Sequence, residues 1–199
     1  EDKNFKNINS IKILNMKKNQ GHARCIATGL KFIYEKEDFD YIIPMDGDGE
    51  DRPEEIKEFL NYIKDNKEKT IVGERIKRSE SLLFQVCYKM HKLITFTFTG
   101  NIIKFGNFTY LPKKTVEKMI NEKATWNSFS GALTKVEKDL ISIPSIRGSR
   151  YFGPSKMSFY NLIKHSLSII SVFRKTFLIR SALFIIFYIL LIKTNASVI

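Results

Sequence analysis

The chain has 199 residues, 43% of them apolar, and a net charge of +12; that is enough for one α/β domain plus an appendage and too few for two ordinary domains. This composition excludes a chain disordered throughout, and two cysteines, Cys25 and Cys87, exclude a disulfide framework or a cysteine-based metal site. Residues 1–140 carry 25 Lys/Arg against 21 Asp/Glu, whereas everything after Asp139 holds eight basic residues and no acidic one; this basic tail runs straight into an apolar segment, which favours an anionic membrane surface over a nucleic acid.

No secretory signal opens the chain, and its Glu-Asp start reads as a fragment lacking its true N-terminus. Residues 10–15 (SIKILN) alternate weakly and read as a short strand. Asn19-Gln20-Gly21 supplies a turn, and residues 22–35 have helical apolar spacing. Residues 41–45 (YIIPM) read as a buried strand ending at an acidic turn. Asp51 is placed as the N-cap of the next helix, with Pro53 in its first turn and Glu54 and Glu55 at its positive end, and that helix runs to about Asn66. Residues 70–73 (TIVG) are the following strand. Strand–helix alternation with short connections argues for a parallel sheet with crossover helices. A second acid-free stretch, residues 81–116, contains five lysines; within it, residues 81–97 form a basic, aromatic-rich amphipathic segment. Residues 105–111 and 141–146 are candidate strands on the far side of the sheet.

The last 45 residues change character. Phe159, Leu162, Ile163, Ile170 and Phe173 fall at helical intervals among Lys164, Arg174 and Lys175, the pattern of an interfacial helix. Residues 177–192 are apolar except for Arg180 and Ser181. Sixteen residues are marginal against the ~20 that a spanning helix usually needs, but a core helix rarely lacks a polar face altogether, so the segment reads as a membrane helix with Arg180 snorkelling to the headgroups. The preceding basic residues place the main domain on the cytoplasmic side.

The most informative stretch is Met45-Asp46-Gly47-Asp48-Gly49-Glu50-Asp51-Arg52-Pro53. Two carboxylates one residue apart project from the carboxyl end of an apolar strand, where open α/β sheets bind ligands. Hard oxygen donors at this spacing suit Mg²⁺ or Mn²⁺, which binds through one or two carboxylates plus substrate phosphates. A calcium loop fails on register, because its sixth position would be Asp51 in place of Gly and its twelfth Lys57 in place of Glu. A bare Asp-x-Asp is usually a solvated turn; the apolar strand before it and the Pro-led helix after it raise its weight here.

The stretch YIIPMDGDGEDRPEEI resembles the signature of family 2 glycosyltransferases of the dolichyl-phosphate mannose synthase and polyprenyl-phosphate glycosyltransferase type. Matching segments follow in order: Asn19-Gln20-Gly21-His22 with Ala27-Thr28-Gly29-Leu30, then Val72-Gly73-Glu74-Arg75, then Phe105-Gly106-Asn107-Phe108, and Arg150-Tyr151-Phe152-Gly153-Pro154-Ser155-Lys156. Together they cover about residues 10–192. The resemblance implies a Rossmann-like GT-A fold, a mostly parallel sheet with flanking helices over residues 1–156. A juxtamembrane amphipathic helix (157–175) and a transmembrane helix (176–193) would follow. It implies transfer from a nucleotide-sugar donor to a polyprenyl (dolichyl or undecaprenyl) phosphate, by a metal-dependent inverting hexosyltransferase. Asp46, Gly21 and Glu50 would meet the nucleotide sugar, and Asp46, Asp48 and Glu50 the metal, with Asp48 the principal ligand. Asp48 and Arg75 would be catalytic, and Arg75, Arg150, Ser155 and Lys156 would meet phosphate. Glu50 stands where the family has Gln or an acidic residue. The basic residue expected after the G-x-R segment has Lys89 or Lys92 as candidates. The family's first strand is missing, and one membrane helix is visible where members often have two or more.

Elsewhere the signals are weaker. His22, His91 and His165 share no metal-ligand spacing, and His22 reads as a surface or half-buried residue. Ser128-Phe129-Ser130-Gly131 lacks a nucleophile frame. Arg150 and Lys156 have no acidic neighbours in sequence, which favours an anionic ligand. A transferase of the same fold acting on a saccharide or protein, or a truncated non-catalytic membrane-bound paralogue, remains the alternative; self-association is compatible with either.

Overall fold

The computed structural model describes residues 7–77, 82–153 and 159–196. Among these residues, four strands form one sheet in the order β1-β3-β2-β4: β1 is Tyr41–Ile42, β2 Thr70–Lys77, β3 Phe105–Pro112 and β4 Leu140–Ile146. The helices are α1 (His22–Lys36), α2 (Ile56–Asn66), α3 (Leu82–Thr99), α4 (Lys113–Asn121), α5 (Phe129–Val136), α6 (Phe159–Val172) and α7 (Arg174–Ala196).

The sheet is mixed where the sequence led to a mostly parallel one. β2 and β4 are parallel, Thr70 facing Leu140 and Arg75 facing Ser145, whereas β3 runs antiparallel to both β1 and β2. The reason is the path of α3. Glu74 near the end of β2 faces Phe105 at the start of β3, so the chain leaves and rejoins the sheet at the same end. α3 is therefore an excursion beyond the strand tips and not a crossover, which a parallel neighbour requires.

Two other expectations change. Residues 10–15 have no ladder among the described residues; Ile11 and Ile13 are exposed, and Lys12 pairs with Glu37. An isolated strand leaves its backbone donors and acceptors unpaired, so alternation alone does not make one. β1 is two residues long because Pro44, lacking an N–H, cannot continue the ladder toward the acidic turn.

Adjacent residues of β2 face opposite layers. Ile71 packs with Phe59, Ile63, Phe108, Tyr110 and Ile143 on the α2 side. Val72 packs with Leu30, Leu111, Val116, Met119, Leu133, Ile169, Val172 and Phe173 on the side of α1, α4, α5 and α6. Ile169, Val172 and Phe173 are buried, so packing of the main domain continues through the boundary expected at 156/157 into α6. Among the described residues, α7 is the helix that leaves the core. Residues Arg174–Thr194 form 21 residues of mean hydropathy 2.0, none of whose most apolar window is buried, long and apolar enough to cross a membrane. At 1.5 Å per residue that is about 30 Å, the thickness of a hydrocarbon core.

Phe59 is fully buried and meets the Phe108 ring edge-on at 4.7 Å between centroids. Phe59→Ala should lower unfolding stability by about 3–5 kcal/mol, read from denaturant unfolding of the detergent-solubilised chain.

Candidate active site

The acidic turn follows the carboxyl end of β1. Its shape is set by backbone bonds to its own carboxylates: the Asp46 N–H donates to Asp51 Oδ2 at 2.8 Å, and the Glu50 N–H donates to Asp48 Oδ1 at 3.1 Å. Asp51, read as a helix N-cap, thus closes the turn, and Arg52 takes the cap position before the 3₁₀ turn Pro53–Glu55. Burial pushes the Asp51 carboxyl above its ordinary pKa, with the neighbouring Asp46 adding to the effect. Glu55 is buried and leaves the helix end to serve β4: it accepts from Ser145 Oγ at 2.7 Å and from the Ile146 N–H at 2.9 Å.

Asp46 gathers residues from three parts of the chain. Its Oδ1 lies 3.1 Å from His22 Nε2 at the start of α1 and accepts from Asn107 Nδ2 of β3 at 3.2 Å. The hydrogen bond to His22 holds the Asp46 carboxyl below its usual range, helped by the positive charges of His22 and Arg75. The same bond raises His22 above the ordinary 6.5. Gly21 caps α1 at φ +88°, its N–H donating to Asn19 Oδ1 at 3.0 Å. Arg75, at the end of β2, lies across Gly106, where an added Cβ would stand 2.6 Å from Nη2. Glu74 pairs with Lys104, which leaves Arg75 facing the acidic turn.

The loop after β4 closes over the turn. The Gly148 N–H donates to the Glu50 carbonyl and the Tyr151 N–H to the Asp48 carbonyl, each at 2.9 Å. Gly49 has φ +92°, and an added Cβ would stand 2.9 Å from both the Ser149 carbonyl oxygen and the Tyr151 ring; both the backbone conformation and the space demand glycine. Arg150 binds Glu50 with Nε at 3.0 Å and Nη2 at 3.1 Å, while its Nη1 lies 3.2 Å from Asp48 Oδ2. Arg147 pairs with Glu50 as well. Burial and the adjacent Arg150 push the Arg147 pKa down, and its Nε is a buried donor with no hydrogen-bond partner among the described residues.

The structure therefore brings Asp46, Asp48, Glu50, Arg75 and Arg150 together, with Gly21 beside them through α1. Ser155 and Lys156 lie outside the described residues. Arg150 has no acidic neighbour in sequence, but its partners Asp48 and Glu50 lie a hundred residues upstream, so the lack of a local partner does not leave it free for an anionic ligand. Glu50, read as a metal contact, has both oxygens engaged by guanidinium groups and only 12% side-chain exposure. Asp48 and Asp46, at 35% and 22%, are more open to solvent. Among the described residues, no group of three His, Cys, Asp or Glu side chains converges to hold a metal ion. Local sequence does not reveal the contacts of Asn107 and Arg147 or the structural parts of Asp51 and Glu55. The spacing of Arg147 and Arg150 in an acid-free tail was the one available signal. Ser128 is the N-cap of α5, accepting from the Gly131 N–H at 3.2 Å.

Beside this cluster, a cavity of about 50 Å³ opens between α3, α5 and α6, lined by Lys92, Thr95, Asn101, Phe105, Ser130 and His165 among others. Phe105, in its lining, faces Glu74 across the β2–β3 ladder, one residue from Arg75, which puts the cavity near Arg75. Of the two lysines the sequence left open, Lys92 lines it and Lys89 is exposed.

Two outcomes follow from these contacts. The raised His22 pKa contributes stability that is complete below 6.5 and lost as pH rises through the folded value. The depressed Asp46 pKa contributes stability present above 3.8 and lost as pH falls through the folded value. The pair is thus strongest between those limits, and NMR titration should find His22 above 6.5, falling toward it in Asp46→Asn. Glu50→Ala should destabilise by roughly 3 kcal/mol, the lower end for breaking a buried pair, because Arg147 and Arg150 retain 29% and 25% side-chain exposure; thermal unfolding reads it.

Comparison with protein families matches residues 2–139 to the description "Glycosyl transferase family 2". No curated protein is similar enough to this chain to carry a finer assignment. Members of the matched family share the GT-A fold and move a sugar from a nucleotide-sugar donor to an acceptor, usually with inversion. With well over half of its length matched, the chain belongs to glycosyl transferase family 2.

Proposed function

We propose that the chain transfers a sugar from a nucleotide-sugar donor to a polyprenyl phosphate at the cytoplasmic face of a membrane. The observation that carries this reading is the joint placement of Asp46 and Asp48 with Arg75 and Arg150 in a protein whose core runs directly into α7. Asp46 and Asp48 would hold Mg²⁺ or Mn²⁺, the kind of ion that takes one or two protein carboxylates and completes its shell with substrate phosphates. Such an ion, when bound, neutralises charge developing on the departing nucleoside diphosphate.

The protein's own groups do the rest. His22 and Asn107 fix the orientation of Asp46. Arg150, already spanning Asp48 and Glu50, and Arg75 across Gly106 present positive charge to the diphosphate. Arg147 has a further buried donor in its Nε. Glu50 holds the two arginines in place. In the reaction a phosphate oxygen of the acceptor attacks the anomeric carbon as its bond to the nucleoside diphosphate breaks. A phosphate is already anionic at neutral pH, so the step needs no general base, which fits a site where His22 is committed to Asp46. Lys92, lining the cavity beside Arg75, is the acceptor-side cation, with Ser155 and Lys156 assigned to phosphate by the family resemblance. The basic residues ahead of α7 orient the site toward the cytoplasm.

In membranes containing the chain, radiolabelled sugar from a nucleotide donor should enter an organic-extractable lipid only with Mg²⁺ or Mn²⁺ present. Asp48→Ala should lower that rate by at least about a hundredfold. Label remaining in the aqueous phase would redirect the reading to a saccharide acceptor. Lys92→Ala should raise KM for the lipid phosphate with little change in donor KM, and Lys89→Ala should leave both alone; steady-state kinetics with each substrate varied separates them.

A further inference from the structure

Helix α3 is amphipathic in the wrong sense for a helix on a water-soluble domain. Among its described side chains, Val86, Met90 and Leu93, spaced one helical row apart, are 53%, 58% and 65% exposed, flanked by exposed Ile94 and Phe96. The face turned inward carries Thr95 and Thr99, both buried, and Lys92 at the cavity. A surface helix normally buries its apolar stripe and exposes its polar one, and a contiguous apolar row on the outside marks a contact with another apolar phase.

What that phase is follows from how α3 is mounted. Its C-terminal turn is fastened to α7: Arg180 Nη1 donates to the carbonyls of Phe96 at 3.3 Å and Thr97 at 3.0 Å. A cation at these carbonyls also suits the negative end of the helix dipole. Phe98 packs against Phe177 at 5.2 Å and edge-on to Phe184 at 6.0 Å between centroids. Gly100, at φ +73°, makes room for the guanidinium; an added Cβ would stand 2.6 Å from Arg180 Nη2. Arg180 therefore does not snorkel: it ties the apolar helix that leaves the domain to an apolar face within the domain. The α3 surface continues onto α7, and its flank carries Lys89 with no acidic residue between positions 81 and 116, which suits anionic headgroups.

The geometry points to α3 as a second membrane contact, a helix lying in the headgroup boundary with Val86, Met90 and Leu93 in lipid and its polar face toward the active-site cavity. The inference rests on the membrane reading of α7 and extends it to a segment in the middle of the catalytic domain. The bilayer then forms a wall beside the cavity lined by Lys92 and His165, so a lipid phosphate can reach the cavity without leaving the membrane.

The test uses the full chain with Cys25→Ser and Cys87→Ser, reconstituted in nanodiscs of phosphatidylcholine and phosphatidylglycerol. An environment-sensitive NBD fluorophore is attached at Leu93→Cys, Met90→Cys, Ile186→Cys on α7, or Tyr62→Cys on the exposed side of α2. The expected result is blue-shifted emission at 93 and 90, and loss of fluorescence to nitroxide-labelled lipids as at 186, with 62 unaffected. All four positions are surface residues, so folding is retained, and positions 90 and 93 check each other. If 90 and 93 behave like 62 while 186 is quenched, α3 faces water and the inference falls while the membrane reading of α7 stands. Blue-shifted emission without lipid quenching, accompanied by disulfide cross-links between copies at Leu93→Cys, would replace lipid with a second chain and overturn it too. An unquenched 186 would remove the membrane reading and this inference together.

Discussion

The ion cluster of Glu50 with Arg147 and Arg150 is the constraint on which the candidate site depends. It joins the acidic turn after β1 to the loop after β4, two segments about a hundred residues apart, and it does so where backbone bonds from Gly148 and Tyr151 already draw them together. Guanidinium forks on a half-buried carboxylate fix both distance and angle. The result is an arginine laid directly against Asp48. A turn of several carboxylates would repel itself without such compensation; here Asp46 receives it from His22, Asn107 and Arg75, and Glu50 from two arginines. Asp51 is tied to the backbone instead, and its raised pKa reflects how costly a further buried charge is in this cluster.

That arrangement separates the carboxylates by task. Asp46 and Asp48 retain solvent access, whereas Glu50, Asp51 and Glu55 are internal fasteners for the turn, the loop and β4. A reading that assigns every acid in an acidic motif to one ligand would miss this division, because residues one or two apart in a tight turn point in different directions.

A second constraint is the coupling of the core to α7. Ile169, Val172 and Phe173 bury α6 in the same cluster as Leu133 and Met119, and the chain passes into α7 with little intervening slack. The site is thereby held at a defined place relative to any membrane that α7 enters. α3 reinforces the arrangement from the opposite direction, since Arg180 caps it and Phe98 packs on α7. A domain fixed at two points has less freedom to tilt than one attached by a single flexible tether.

The sequence by itself determined the local elements and the chemistry of the turn. Apolar periodicity located α1, β2, β3, β4 and the last two helices, and Asp46-Gly47-Asp48 following an apolar strand and preceding Pro53 singled out the site, because strand tips, turns and helix starts are written in neighbouring residues. Tertiary structure alone decided the rest. It set β3 antiparallel, since the direction of a strand depends on where α3 returns the chain; it left residues 10–15 without a ladder, since a strand exists only beside another; and it gave Arg150 its acidic partners, since ion pairs are chosen by distance in space. Helix polarity shows the same limit: the sequence of α3 reveals that it has an apolar side and a polar side, but only packing against α6 and α7 decides which of them faces outward.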